Sequence, residues 1–227
     1  MDALILAAGL GSRLGKLTKT KQKCLLPVGG KPLLDYWIRY CIKLNINKIF
    51  INSHHCSNDI EAFINRHVYK NRVTLLHEAE LLGTGGTLVS NLSNFNNDLL
   101  FVHGDNFITF DVLKNFYLAY QTNTLNISFW MMLHETNQPE TCGVVKLQNN
   151  KVIEFHEKVM DPPSNIANSA IYILSQKFLN ILSKQYFDYP LSFSDDLIPK
   201  FLGNIYGYYQ KENVIDIGTP ENYKKVR

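Results

Sequence analysis

The sequence predicts an α/β fold built on a doubly wound sheet, and three observations carry that prediction. Short apolar runs of strand length recur through the first half, at residues 3–6, 48–51, 73–76 and 99–103. Stretches with apolar residues three and four apart separate them, and the first run leads into the small-residue segment Ala7-Ala8-Gly9-Leu10-Gly11. Strands alternating with helices of roughly ten residues imply parallel pairing through right-handed crossovers, with helices on both faces of the sheet.

Residues 3–6 are apolar at consecutive positions, the pattern of a strand buried on both faces. Pro32 opens a helix in which Leu33, Tyr36, Trp37, Tyr40, Cys41 and Leu44 share a face, and the missing proline N–H costs nothing in a first turn. Residues 58–68 carry Ile60, Phe63 and Ile64 at helical spacing, and 84–92 form a helix after a glycine-rich turn. With strands at 48–51, 73–76 and 99–103, ligands belong at the carboxyl ends of this Rossmann-like sheet.

The second half changes character. Residues 127–133 form a long apolar strand, and 143–147 with 151–156 make a hairpin about Asn149-Asn150. This predicts a smaller antiparallel insertion. Further strands are expected at 170–174, 205–209 and 214–217, with helices at 176–182 and 195–202. The whole chain, 1–227, reads as a single domain, with no repeat or linker.

Composition narrows the function. A chain of 227 residues with 45% apolar content can bury a core. Its net charge of +3 is spread along the length without a basic run, so no nucleic-acid partner is expected. Asp2 interrupts the N-terminus, so a signal peptide is not expected, and no apolar run approaches the ~20 residues of a membrane span. Cys24, Cys41, Cys56 and Cys142 lack a CxxC pair, which argues against disulfides and structural zinc and for a cytoplasmic location.

Residues 6–14 read Leu-Ala-Ala-Gly-Leu-Gly-Ser-Arg-Leu, a buried strand end followed by small residues and a fixed cation. There the backbone N–H groups and the Arg13 guanidinium can converge on phosphate oxygens. A GxG alone is equally a tight turn. Lys23 stands directly before an apolar stretch, within reach of the same phosphates, although a lone lysine is more often a solvated surface group.

Residues 6–14, Lys23 with Pro27, and Gly30-Lys31-Pro32-Leu33-Leu34 together resemble the signature of the sugar-phosphate nucleotidyltransferase family. The resemblance continues through Glu78 with Leu82-Gly83-Thr84-Gly85-Gly86, His103-Gly104-Asp105, Gly143-Val144-Val145, Glu157-Lys158, Asn168 and Asp216-Ile217-Gly218-Thr219-Pro220. It implies a Mg2+-dependent enzyme that joins a nucleoside triphosphate to a sugar 1-phosphate and releases pyrophosphate. The nucleotide-binding half would be about 1–125 and the sugar-binding half about 126–227.

Residue by residue, the resemblance implies that Leu6, Ala7, Ala8, Gly9, Gly11, Ser12, Glu78, Gly83 and Thr84 hold the nucleotide. Arg13, Lys23 and Lys158 take the catalytic roles, the first two on the triphosphate and the last on the sugar phosphate. Asp105, Gly143, Glu157 and Asn168 contact the sugar, and Asp105 with Asp216 holds the metal. Either aspartate alone would more simply be a turn residue, and Glu157-Lys158 a solvated pair.

Leu82-Gly83-Thr84-Gly85-Gly86 after Glu78 is similar to guanylyltransferases for mannose or heptose 1-phosphate, so GTP is the leading nucleotide. Ala7-Ala8 is also similar to uridylyl- and cytidylyltransferases, and a sensor that binds without turnover is a further alternative. The presence of Arg13, Lys23, Asp105, Lys158 and Asp216 favours catalysis. A related glycosyltransferase would carry Asp-x-Asp where this chain has Asp105-Asn106-Phe107.

The chain departs from the family pattern at Gln22, Val159 and Ser169-Ala170, where Pro, Pro and Ala-Gly are usual. Ala170 adds a methyl where the family has none. His54-His55-Cys56 lacks the paired spacing of a zinc site, and Tyr186, Phe187, Tyr189 and Phe193 are read as core or a subunit contact. The chain ends at Arg227, which is expected to leave no C-terminal β-helix or acyltransferase domain; a homo-oligomer is left open.

Overall fold

The computed structural model describes every residue except Thr20 and Asn213. In chain order its strands are β1 (Asp2–Leu6), β2 (Pro27–Val28), β3 (Lys31–Pro32), β4 (Ile49–Ser53), β5 (Val73–His77), β6 (Leu99–His103), β7 (Asn106–Phe107) and β8 (Phe129–Glu135), followed by β9 (Gly143–Gln148), β10 (Lys151–Glu157), β11 (Ile166–Leu174), β12 (Ile205–Tyr209) and β13 (Ile215–Asp216). The α-helices are α1 (Leu33–Lys43), α2 (Ser57–Arg66), α3 (Thr84–Ser90), α4 (Phe110–Thr122), α5 (Gln176–Leu182) and α6 (Pro220–Lys224). No helix among the described residues is long and apolar enough to cross a membrane.

The chain forms two compact units. The first comprises Met1–Leu81, Phe101–Phe110 and Val214–Arg227, and the second is built from Leu82–Leu100 and the chain between Asp111 and the start of that C-terminal segment. In the first, strands run in the order β5-β4-β1-β6, with β1 parallel to β4 and β4 parallel to β5. Ala3, Leu4, Ile5, Ile49 and Ile51 are wholly buried, as consecutive apolar positions require of a strand covered on both faces. Leu34, Trp37, Ile38 and Cys41 of α1 and Ile60 and Ile64 of α2 lie in the same core. Burying such side chains contributes about 1.5–3 kcal/mol each.

Within the first unit, Trp37 Nε1 donates to the Asn106 carbonyl at 2.9 Å, and the Tyr40 hydroxyl donates to the Ile108 carbonyl at 3.1 Å. These two bonds anchor the turn that follows β6 to α1. The β2–β3 hairpin is held from the C-terminus, where Gly29 N–H donates to the Val226 carbonyl and the Tyr223 hydroxyl to the Pro27 carbonyl.

The second unit has the order β11-β8-β12-β10-β9, with β8 antiparallel to β11 and β9 antiparallel to β10. β12 runs parallel to β8, so this part is mixed rather than purely antiparallel; the long stretch between the two strands permits the crossover that a parallel pair needs. Asn149 and Asn150 turn the β9–β10 hairpin with φ of 51° and 59°, the left-handed pair of a two-residue turn. The Trp130-Met131-Met132 run is buried strand, as expected. Phe129 packs on Phe178 and Phe193 with ring centroids 5.0 and 5.6 Å apart.

Short elements β2, β3, β7 and α6 were outside the sequence expectation, and three longer ones differ from it. The helix expected at 195–202 is a π turn, Phe193–Leu197, followed by a 3-10 turn, Ile198–Phe201, because Pro199 supplies no N–H to continue an α-helix. Helix α4 was not expected at all; it buries Val112, Leu113 and Phe116 at helical spacing. Strand β11 starts four residues early, at Ile166, and carries an irregularity between Asn168 and Tyr172.

Candidate active site

Parallel strands in the first unit end on one edge, and the loops leaving that edge bring four charged side chains together. Lys23, in the 3-10 turn Lys23–Leu25, places Nζ against Asp105 Oδ2 and 3.7 Å from Asp216 Oδ1. Arg13 Nη2 is 3.7 Å from Asp216 Oδ2. Asp105 follows β6 directly, and Asp216 lies in β13, which pairs antiparallel with β7 at Asn106. Ile217 N–H donates to the Asp105 carbonyl at 3.1 Å, so the main chain holds the two aspartates side by side.

Burial differs sharply across this cluster. The Lys23 side chain is 11% exposed, whereas that of Arg13 is 60% exposed. Burial alone would lower the Lys23 ammonium, but Asp105 and Asp216 outweigh it and hold its pKa above the ordinary value. Burial likewise pushes the Asp105 carboxyl up, and Lys23 and His103 outweigh that, keeping it below the usual range. The pair therefore stays charged, and its cations can meet phosphate while its carboxylates offer hard oxygens to a small divalent metal. Among the described residues, no group of three or more His, Cys, Asp or Glu could hold a metal, so protein ligation of a metal here would rest on these two carboxylates.

The start of the small-residue loop is fixed by a side chain that the sequence did not single out. Ala7 N–H donates to Asn52 Oδ1 at 2.6 Å, and Asn52 Nδ2 donates to Glu78 Oε1 at 2.9 Å. Glu78 is buried; its N–H donates to the Ser53 carbonyl, and its own carbonyl meets His54 Nδ1 at 2.9 Å. Gln22, where the family pattern has Pro, accepts from Lys23 N–H and donates through Nε2 to the His55 carbonyl at 2.9 Å. His54 and His55 thus tie loops together. Ala8 is buried and Gly9 exposed; the Gly11 carbonyl accepts from the Thr18 hydroxyl at 2.7 Å; Leu6, Gly11 and Ser12 border the same loop.

Gly83 and Thr84 lie in the second unit, at the start of α3. Gly83 has a φ of 81°, and an added Cβ would stand 2.4 Å from the Leu191 carbonyl oxygen, so only glycine fits. That carbonyl accepts from Gly85 and Gly86 N–H, and the Thr84 hydroxyl accepts from Phe193 N–H at 2.8 Å. The first-turn donors and the Thr84 oxygen are therefore engaged by residues 191–193 of their own unit.

Of the expected sugar-site residues, Asp105 lies in the first unit and Gly143, Glu157, Lys158 and Asn168 lie in the second. Gly143 of β9 faces Glu157 of β10 across the ladder, and a Cβ there would fall 2.5 Å from Glu157 Oε2. Lys158 Nζ is 2.7 Å from Glu157 Oε1 and its N–H donates to the Cys142 carbonyl, with a φ of 49°. Asn168 Nδ2 donates to the Tyr172 hydroxyl at 2.7 Å, and Asn168 Oδ1 accepts from Ala170 N–H at 3.0 Å. Ala170 has a φ of 51°, a left-handed conformation natural to the glycine usual there. Ser169 is fully buried and its hydroxyl meets His134 Nδ1 at 2.9 Å; burial pulls that imidazole down to about 4.

An α/β protein with cations and carboxylates gathered at its strand ends is a class suited to polyphosphate ligands. The chain belongs to the nucleotidyl transferase family, whose model matches residues 2–227. It is 29% identical, over 100% of its length, to the Sulfolobus acidocaldarius protein named "Putative mannose-1-phosphate guanyltransferase", and it spans 62% of that relative. It is 27% identical to the D-glycero-α-D-manno-heptose 1-phosphate guanylyltransferase of Aneurinibacillus thermoaerophilus, with 100% of this chain and 97% of that protein covered. Among solved structures, HddC of Yersinia pseudotuberculosis complexed with GMP-PN aligns with a TM-score of 0.80 and 27% identity, covering 99% of this chain and 97% of that one.

Proposed function

We propose that the chain is a sugar-1-phosphate nucleotidyltransferase that moves GMP from GTP to a mannose- or heptose-type sugar 1-phosphate. The observation that carries this reading is the meeting of Arg13, Lys23, Asp105 and Asp216 in a chain of the nucleotidyl transferase family. A sugar-phosphate oxygen attacks the α-phosphorus of the triphosphate, the bond to the bridging oxygen breaks, and pyrophosphate leaves. No protein nucleophile is needed, so the protein contributes position and charge.

Arg13 and Lys23 neutralise the triphosphate, and the loop that starts at Leu6, Ala7 and Ala8 and runs through Gly9, Gly11 and Ser12 lies along it. To reach phosphate oxygen, the Lys23 ammonium exchanges Asp105 for the ligand. Members of the family usually use a divalent metal; Asp105 and Asp216 fit Mg2+, which prefers few protein oxygens and completes its shell with phosphate and water. When bound, Mg2+ supplies charge neutralisation for the triphosphate and the leaving group. Lys158 holds the sugar phosphate, and Glu157, Asn168 and the backbone at Gly143 meet sugar hydroxyls, which need both donors and acceptors.

Guanine is supported by Glu78. Carboxylate oxygens accept, and guanine offers adjacent N1–H and amino donors where adenine offers a ring acceptor. The names of the Sulfolobus and Aneurinibacillus relatives and the GMP-PN complex of HddC point the same way. On this reading the enzyme is cytoplasmic.

Pyrophosphate release is to be measured with GTP, UTP, CTP and dTTP, each with Mg2+ and a panel of hexose and heptose 1-phosphates. Release with GTP and a mannose- or heptose-type acceptor is expected. Release only with UTP or CTP would replace guanine with a pyrimidine. Tight nucleotide binding without any release would make the chain a sensor.

A further inference from the structure

Asn52 occupies a position that no charge-based reading would select. β4 lies between β1 and β5, and all three are parallel, so their carboxyl ends share one edge. Asn52 is the penultimate residue of that central strand and is 3% exposed. From there one amide reaches both neighbours: its oxygen accepts from Ala7 N–H after β1, and its nitrogen donates to Glu78 Oε1 after β5. The orientation of the amide is fixed by Ala7: a main-chain N–H can only donate, so the oxygen faces it and the nitrogen is left to donate to Glu78.

We propose that Asn52 is the positioning residue for nucleotide selection: it pins one oxygen of the Glu78 carboxylate, and so sets what that side chain presents to the base. The inference rests on the reading of Glu78 as the guanine-recognising group. Its content is separate, since it assigns base preference to a residue that touches no base. Asn52 joins the base-reading carboxylate to the first amide of the phosphate loop, so base and triphosphate are held against a common reference. The Glu78 main chain is held separately, by Ser53 and His54, and Asn52 acts on the side chain. A hydrogen bond to a carboxylate in a buried setting is of the stronger kind, which suits a group that must not rotate.

The test compares kcat and KM for GTP, ITP and ATP. ITP lacks the guanine amino group and keeps N1–H. In the unaltered protein GTP is expected to lead ITP by about tenfold, the worth of one charge-assisted hydrogen bond. Asn52→Asp keeps the acceptor for Ala7 and removes the donor to Glu78. It is expected to raise the KM for GTP by about tenfold, to bring GTP and ITP within about threefold, and to leave the KM for the sugar 1-phosphate unchanged. An unchanged GTP to ITP ratio would overturn the positioning role.

A second series holds if Asn52→Asp fails to fold. In Glu78→Gln alone, the Asn52 amide still donates to the carbonyl of the new side chain, which turns its NH2 toward the base and favours ATP. Adding Asn52→Asp to Glu78→Gln reverses that bond, turns the carbonyl toward the base and favours ITP over ATP. The same base preference in both variants would overturn the inference. If the unaltered protein treats GTP, ITP and ATP alike, it is the guanine reading that fails, and the two failures are told apart by this control.

Discussion

The two compact units fix their candidate site residues by different means. In the first, charged and amide side chains hold one another: Lys23 to Asp105 and Asp216, Arg13 to Asp216, Asn52 to Glu78. In the second, the backbone sets most of the geometry: Gly143 leaves room for Glu157, and Lys158 and Ala170 sit in the left-handed region. The difference teaches where each unit is vulnerable. Removing a charge should damage the first, and adding a Cβ should damage the second.

The largest expected effect tests the first half of that contrast. Asp105→Ala and Asp216→Ala should each lower kcat by about a thousandfold with Mg2+ present, while the circular dichroism spectrum stays native. Turnover at the unaltered rate in either variant would remove the carboxylate pair from the chemistry. Lys158→Ala should raise the KM for the sugar 1-phosphate by about thirtyfold and leave that for the nucleotide alone. A nucleotide effect of equal size would remove the assignment of Lys158 to the sugar phosphate.

His134 sharpens the comparison through pH. Its imidazole is held near 4 in the folded protein by burial, against an ordinary value of 6.5, so the unfolded chain binds the proton first. Stability is therefore fully present above pH 6.5 and is lost as pH falls from there toward 4, by about 2 kcal/mol after allowance for partial solvent contact. Urea titrations across that window should show the loss, and His134→Asn should flatten it. A flat profile in the unaltered protein would mean that the imidazole is not buried.

Two backbone changes follow, with smaller effects. Gly143→Ala should displace the Glu157 carboxylate and raise the sugar-phosphate KM by about tenfold, with thermal stability as the control for a general disruption. Ala170→Gly should act in the opposite direction. It relieves left-handed strain, partly offset by the entropy of glycine, for a net gain of about 0.5 kcal/mol in a denaturant titration. A loss of stability there would mean that the methyl packs usefully.

How far the sequence discloses this molecule depends on the range of the physics involved. The strand ending at Leu6 and the placement of Asp105 were legible because local pattern and residue type report buried strands and phosphate chemistry. Asn52, His54 and Gln22 were not, because each acquires its meaning from a partner 24 to 45 positions away. Helix α4 left a signal in Val112, Leu113 and Phe116, but Tyr117 and Tyr120 blur the stripe. An α-helix at 195–202 is ruled out by Pro199, which has no N–H to donate.

The cysteines add one more consequence. Cys24 and Cys41 are buried, with thiols pushed up to about 12, whereas Cys56 and Cys142 are partly open. Since the thiolate is the reactive form, a maleimide or aromatic disulfide reagent at neutral pH should modify two sulfurs quickly in the native chain and the remaining two only as it opens. Cys24 adjoins Lys23 in the same turn, so its labelling rate is a chemical clock for the opening of that turn, readable by mass without any substrate.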